Sequence, residues 1–158
     1  MISEPVRALL VAQIGHELGA HQMYMGIALS FERQSLNGWA KLFRDQAIEE
    51  AGHATRITSF LIDNEVPFNL PAVRSAVTTY GSANEAVQAA LANELRGTAL
   101  FDALAAAATK AGDHRSLQFL QWFIDEQVEE ERKMRGLADL LASGVNLFQA
   151  ESLLEKLS

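Results

Sequence analysis

The stretch Trp39–Leu61, WAKLFRDQAIEEAGHATRITSFL, sets Trp39, Phe43, Ala47, Ala54, Ile57 and Leu61 at helical spacing. Apolar side chains three and four residues apart form one stripe on an α-helix, and that stripe is the face a helix buries. Glu50 and His53 fall inside the stripe rather than opposite it. A long amphipathic helix therefore turns two ionisable groups toward its own core. Burying an unpaired carboxylate costs on the order of several kcal/mol, so other parts of the chain must bring partners to them.

Working outward, stop signals divide the chain into five predicted helices and no strand. Ser3 can cap a first helix whose opening turn tolerates Pro5, and its apolar spacing runs through Leu10, Ile14, Tyr24, Ile27 and Phe31 until Asn37-Gly38 breaks it. That is a helix over 4–34, followed by the quoted one over 38–64, which Pro67 and Pro71 prevent from continuing. Ser82 with Glu85 makes a capping box for an alanine-rich helix over 83–111, closed at Gly112. A fourth helix over 115–142 carries Leu120, Phe123, Met134, Leu137 and Leu141 on one face and ends at Gly144. Asn146 with Gln149 starts a short fifth helix over 147–157.

Four rods of about 27 residues are each ~40 Å long. The turns within the first and second pairs are short, so each pair is an antiparallel hairpin. The roughly 18 residues between the second and third helices are enough to cross the whole bundle at ~3.3 Å per residue. The expected fold is all-α: an up-down-down-up four-helix bundle with one long crossover, in a single domain spanning 1–158.

The other helices also aim carboxylates inward. Glu17 is in register with Leu10, Ile14, Tyr24 and Ile27; Glu94 lies between Leu91 and Phe101; Gln127 and Glu130 lie between Phe123 and Met134. All fall near the middle of their helices, so whichever way each rod points, these groups meet at one level. Four carboxylates gathered in an apolar interior need protons or cations, and two divalent metal ions would supply four positive charges. A Glu from each of two helices plus an inward Glu-x-x-His is the carboxylate-bridged di-iron arrangement. Here the second Glu-x-x-His is replaced by Gln127-Val128-Glu129-Glu130. Oxygen-rich ligation with few imidazoles suits iron, with manganese or zinc as competitors.

Composition narrows the partners. Thirteen basic against twenty acidic residues give a net charge of −7, which argues against nucleic acid or an anionic membrane and favours cations. No cysteine is present, which excludes disulfides and thiolate-bound clusters and fits a reducing compartment. No segment reads as a secretion signal or a membrane span, so the expected location is the cytoplasm.

Glu17, the run Glu49-Glu50-Ala51-Gly52-His53, Glu94, and the run Glu126-Gln127-Val128-Glu129-Glu130, in this order and spacing, resemble the pattern of the bacterial non-haem ferritins over essentially the whole chain. The resemblance implies iron storage and detoxification, with oxidation of Fe(II) by dioxygen at an intra-subunit ferroxidase centre. It implies that Glu17, Glu50 and His53 hold one iron and Glu50, Glu94 and Glu130 the other, with Gln127 at or beside the second. Glu49, Glu126 and Glu129, sharing Glu130, would form a third iron site toward the interior of a shell. Tyr24 matches the family's tyrosine beside the centre, and Trp122, though close enough to be a neighbour, reads as a packing residue. Ferric mineral would be deposited inside a homo-oligomer of 24 subunits, with Leu147, Phe148, Leu153 and Leu154 of the fifth helix packed at a symmetry axis. Bacterioferritins place a haem-ligating methionine where this chain has Gly52, so no haem is expected there. His16, His21 and His114 read as surface or helix-end residues.

Two other readings fit the inward acids: a small di-iron or di-manganese oxidase acting on an organic substrate or peroxide without storing mineral, and an assembly protein whose acids bind structural cations. A cavity beside the metals together with turnover that leaves no mineral would mark the first. Failure to speed Fe(II) oxidation would mark the second.

Overall fold

The computed structural model describes residues 1–158. Its four long helices are α1 (Glu4–Glu32), α2 (Asn37–Asp63), α3 (Ala83–Ala111) and α4 (His114–Ala142). One further α-turn, α5 (Leu147–Ala150), passes into a 3-10 helix over Glu151–Lys156. α1 lies mainly against α2 and α3 against α4, with α1 and α3 joining the two hairpins. This is the ferritin-like four-helix bundle. No helix is long and apolar enough to cross a membrane.

The ends of α1, α2 and α3 share one device. In each, a residue with positive φ follows the helix and the amide after it reaches back to a carbonyl in the last turn: Leu36 N to Phe31 O, Val66 N to Leu61 O and Asp113 N to Ala108 O. These bonds satisfy carbonyls that the helix leaves unpaired. Only the third uses glycine, Gly112 at φ +64°; Ser35 at φ 59° and Glu65 at φ 55° make the other two.

That corrects the reading of Asn37-Gly38 as a breaker. Ser35 makes the turn, and both Asn37 and Gly38 lie inside α2. Gly38 serves a tertiary purpose: its amide donates to the Glu151 carboxylate at 2.9 Å, and a Cβ there would stand 2.8 Å from the same group.

Ser3 occupies the first cap position with extended backbone, but its hydroxyl makes no hydrogen bond. Its amide instead donates to Asp113 Oδ2 at 3.1 Å, and Asp113 also caps α4 through Ser116 N at 3.0 Å. One aspartate thus fastens the starts of α1 and α4 together. Ser82 accepts from Glu85 N at 3.1 Å as the capping box requires, while the Glu85 carboxylate accepts from Gly81 N, one residue earlier than expected. The fifth helix is α-helical for a single turn and then tightens to 3-10, the usual winding for so short a terminal segment.

The core is two apolar clusters rather than one. The first gathers Tyr24, Ile27, Phe31, Trp39, Phe43, Met134 and Leu137 among others, with Phe31 stacked between Trp39 and Phe43 at centroid distances of 5.3 and 5.7 Å. The second contains Ile2, Leu10, Ile14, Ile57, Leu61, Phe101, Leu104, Leu120 and Phe123. The gap between them falls in the middle of every helix.

The crossover from α2 to α3 runs along α1. Pro71 lies by Gly15, Val77 by Gly26, and Thr79 Oγ1 accepts from Arg33 at 3.1 Å. Its closest approach needs a missing side chain, since a Cβ on Gly26 would lie 2.1 Å from the Val77 carbonyl oxygen. Gly26→Ala should therefore displace the crossover and cost about 1–3 kcal/mol, as overpacking usually does. Thermal or denaturant unfolding reads this, and a variant as stable as the parent would contradict the close packing described.

Candidate metal centre

The layer between the two apolar clusters is polar and collected from all four long helices. Glu17 comes from α1, Glu50 and His53 from α2, Glu94 from α3, and Gln127 and Glu130 from α4. The four carboxylates are 2–3% exposed, as buried as the leucines above and below them. Helical periodicity alone puts them there, because each stands in the register of its own helix's core stripe.

Donor atoms converge in three groups, within each of which all lie within 4.8 Å of one another: Glu17, Glu50 and His53; Glu50, Glu94 and Glu130; and His53, Glu126 and Glu130. Glu50 belongs to the first two and so sits between them. The His53 ring spans two groups. Its Nδ1 is 3.1 Å from Glu50 Oε2 and 3.5 Å from Glu17 Oε2, and its Nε2 is 3.9 Å from Glu126 Oε2. With one donor atom counted per residue, the groups offer two oxygens and an imidazole nitrogen, three oxygens, and two oxygens and an imidazole nitrogen; such oxygen-rich, buried donor sets suit iron, manganese or zinc.

Of the other residues singled out in the sequence, Tyr24 is fully buried and its hydroxyl donates to Glu94 Oε1. The Gln127 amide lies 3.3 Å from Glu94 Oε2 and donates to the Glu94 carbonyl at 3.1 Å. Glu126 is half-buried at the edge of the centre. Glu49 and Glu129 are exposed, and neither joins a ligand group. They line a cavity of about 640 Å³ that opens beside His53 and also borders Glu126, Glu130 and Lys133. Trp122 meets His53 edge-on at 5.5 Å and carries the Arg56 guanidinium over its ring at 4.0 Å. His16 and His21 are half-buried rather than on the surface, and His21 Nδ1 lies 2.7 Å from the Ala47 carbonyl oxygen, joining α1 to α2.

Three participants went unnoticed in the sequence. Gln13 donates to Glu17 Oε1 at 2.7 Å, and Gln46 donates to Glu50 Oε1 at 3.0 Å and to Glu130 Oε2 at 2.7 Å. Each glutamine stands four residues before a buried glutamate, the spacing at which helix neighbours touch, so this signal was available. The third, Lys133, reaches the centre from α4, with Nζ donating to Gln46 Oε1 at 2.8 Å.

Electrostatics follow from burial. Desolvation raises Glu130 to about 8, against the pull of Lys133 and helped by the charges of Glu94 and Glu49. Burial and the Glu50 charge raise Glu94 to about 7 in spite of hydrogen bonds from Tyr24 and Gln127. Glu50 is raised by burial and partly relieved by His53. Burial alone would lower His53, but its hydrogen bonds to Glu17 and Glu50 win and lift it to about 10. Burial and the neighbouring Glu94 charge keep the Tyr24 hydroxyl protonated, a neutral donor. Without a metal the centre thus stores protons at neutral pH, where bound cations would require bare carboxylates and a neutral imidazole.

Two outcomes are expected. Loading the metal-free protein with Zn(II) near neutral pH should release on the order of two protons per chain and tighten as pH rises; calorimetry in buffers of differing ionisation enthalpy measures both, and proton-neutral binding would refute it. The native centre keeps carboxylate protons that an unfolded chain loses above ~4.3, so the metal-free fold loses stability as pH climbs from there through about 8. His53 acts in the same sense, its contribution being complete below ~6.5 and lost as pH rises through about 10. Melting temperatures of the metal-free protein should fall from pH ~6 to ~8 by this linkage, and a rise would be inconsistent with it.

Comparison with known proteins gives the family of the chain. A sequence model of the family described as ferritin-like domain matches residues 7–143. The chain is 37% identical over 145 residues to "Ferritin BfrB" of Mycolicibacterium smegmatis, covering 91% of this chain and 80% of that one. It is 36% identical over 146 residues to "Bacterioferritin BfrB" of Mycobacterium tuberculosis, covering 92% and 81%. It is 33% identical over 131 residues to "Bacterial non-heme ferritin" of Staphylococcus aureus, covering 83% and 79%.

Proposed function

The chain belongs to the ferritin family, and on that premise we propose that it stores iron, oxidising Fe(II) with dioxygen inside each bundle and passing the product to a mineral held in an oligomeric shell. The observation that carries this reading is the pair of buried ligand groups, Glu17–Glu50–His53 and Glu50–Glu94–Glu130, which share one carboxylate in the middle of the bundle.

Two Fe(II) ions are the substrate. Glu50 between the two groups would fix their separation, Glu17 and His53 would hold one, and Glu94 and Glu130 the other. The two ions give up one electron each, and dioxygen takes both, to the level of hydrogen peroxide, with the two protons that this product needs. The residues do the positioning. Gln46 and Gln13 keep carboxylate oxygens turned inward, Gln127 braces Glu94 from α4, and the Tyr24 hydroxyl holds the Glu94 oxygen on the side away from Gln127. Rigid helices fix this arrangement before any ion arrives.

Ferric ions, smaller and more highly charged, would leave by the cavity beside His53, where Glu126, Glu129 and Glu49 give cations a path. Arginines and lysine stand among those acids, and Trp122 and Leu157 are the only apolar residues of that wall, so the space fits hydrated ions better than an organic substrate. This weighs against the oxidase reading. Storage further requires assembly, which we expect to be a homo-oligomer of 24 subunits.

Glu50→Ala should abolish the fast phase of Fe(II) oxidation followed by near-ultraviolet absorbance, and survival of that phase would refute the assignment. Gln46→Ala, which removes a partner of two ligands at once, should weaken metal binding about 10–100-fold while the fold persists. Size-exclusion chromatography of iron-loaded protein tests storage: iron should travel with a large assembly, and iron-free monomers would exclude it.

A further inference from the structure

Lys133 stands three residues after Glu130 on α4, with a side chain only 15% exposed. Lysine is seldom so covered unless its charge is paired. Besides its bond to Gln46 Oε1, Nζ is 3.7 Å from Glu49 Oε2 and 3.9 Å from Glu130 Oε2. An ammonium is a compact charge with three donors and nothing to offer a metal. It occupies the same side of the centre as the third donor group, His53, Glu126 and Glu130, where the 640 Å³ cavity opens.

An ion seated in that third group would depend on Glu130 and draw on the field of Glu49. Both already face Lys133. The other carboxylate of the group, Glu126, is 33% exposed, and His53 Nε2 is its only nitrogen. With Glu130 engaged by the second ion and Glu49 facing Lys133 at 3.7 Å, a third divalent cation is left with one carboxylate, a third exposed, and a histidine, and with a fixed positive charge close by.

Building on the two-ion reading above, we propose that Lys133 is a tethered counter-cation that limits the centre to two resident metal ions and makes the third donor group a place of passage. It is a positioning residue acting through Glu130 and Glu49. A lysine that merely propped up Gln46 would behave differently when removed: the first two ions would bind less well and no further one would gain a seat.

The test is anaerobic titration of the assembled, metal-free protein with Zn(II), which cannot change oxidation state, read by calorimetry and by metal content after equilibrium dialysis. The parent protein should saturate at two ions per subunit. Lys133→Met should take three, Lys133→Arg should stay at two because the charge is kept, and Lys133→Met combined with Glu126→Gln should return to two. Circular dichroism melts confirm that each variant is folded. Three ions in the parent with similar affinity, or only two in folded Lys133→Met, would overturn the proposal. Fewer than two ions in the parent would instead overturn the two-ion reading on which it rests, and that result is told apart by the parent alone.

Discussion

A belt of acids across the middle of an apolar bundle is the constraint to which everything else in this chain answers. Above and below it the interior is ordinary: stacked aromatics at one end, leucines, isoleucines and phenylalanines at the other. At the belt, four carboxylates with almost no exposure stand where a bundle of this size would gain stability from leucine. Each such group costs on the order of several kcal/mol of desolvation when left charged and alone. Without metal the cost is met by protons, by the shared histidine and by amides; with metal, by the cations themselves. The two apolar clusters supply the stability that lets the belt remain strained in charge.

The belt is ordered by groups that cannot ligate strongly themselves. Gln13, Gln46, Gln127 and Tyr24 each direct a hydrogen bond at a carboxylate. Such donors favour the ionised oxygens and fix their orientation, which is how a supporting layer tunes a metal centre. Gln46 joins α2 to α4 by bonding both Glu50 and Glu130, and Tyr24 joins α1 to α3 through Glu94. The same contacts that hold the ligands therefore hold the helices at matching height. Fold and centre are one network at this level, whereas the hairpin turns, the Asp113 cap and the crossover over Gly26 set only the frame.

Much of this was legible in the residues. A polar or charged side chain in the register of an apolar stripe is a clear signal, and it singles out Glu17, Glu50, His53, Glu94, Gln127 and Glu130, all of which are buried. Register carries no information about partners that flank a stripe, so Glu49, Glu126 and Glu129 stood alike in the sequence. The bundle separates them: Glu126 meets His53, while Glu49 faces Lys133 and Glu129 faces the open cavity. Lys133 was missed for a related reason, since a long flexible side chain three residues beyond a ligand reads as solvated until a neighbouring helix is placed over it.

Local chemistry also misled where a tertiary contact had the prior claim. Gly38 looked like a helix breaker because nothing in its neighbourhood mentions Glu151, more than a hundred positions away, whose carboxylate needs the space. Ser3 looked like a cap, yet the bond went to Asp113 from its amide instead. By itself the sequence determined the four long helices, the long crossover and the inward acids, because periodicity and stop signals are properties of neighbours along the chain. Which oxygen faces which nitrogen, and which acids are left to bind rather than to pair, was decided only when four helices closed on one another, because those distances belong to residues that the chain itself keeps far apart.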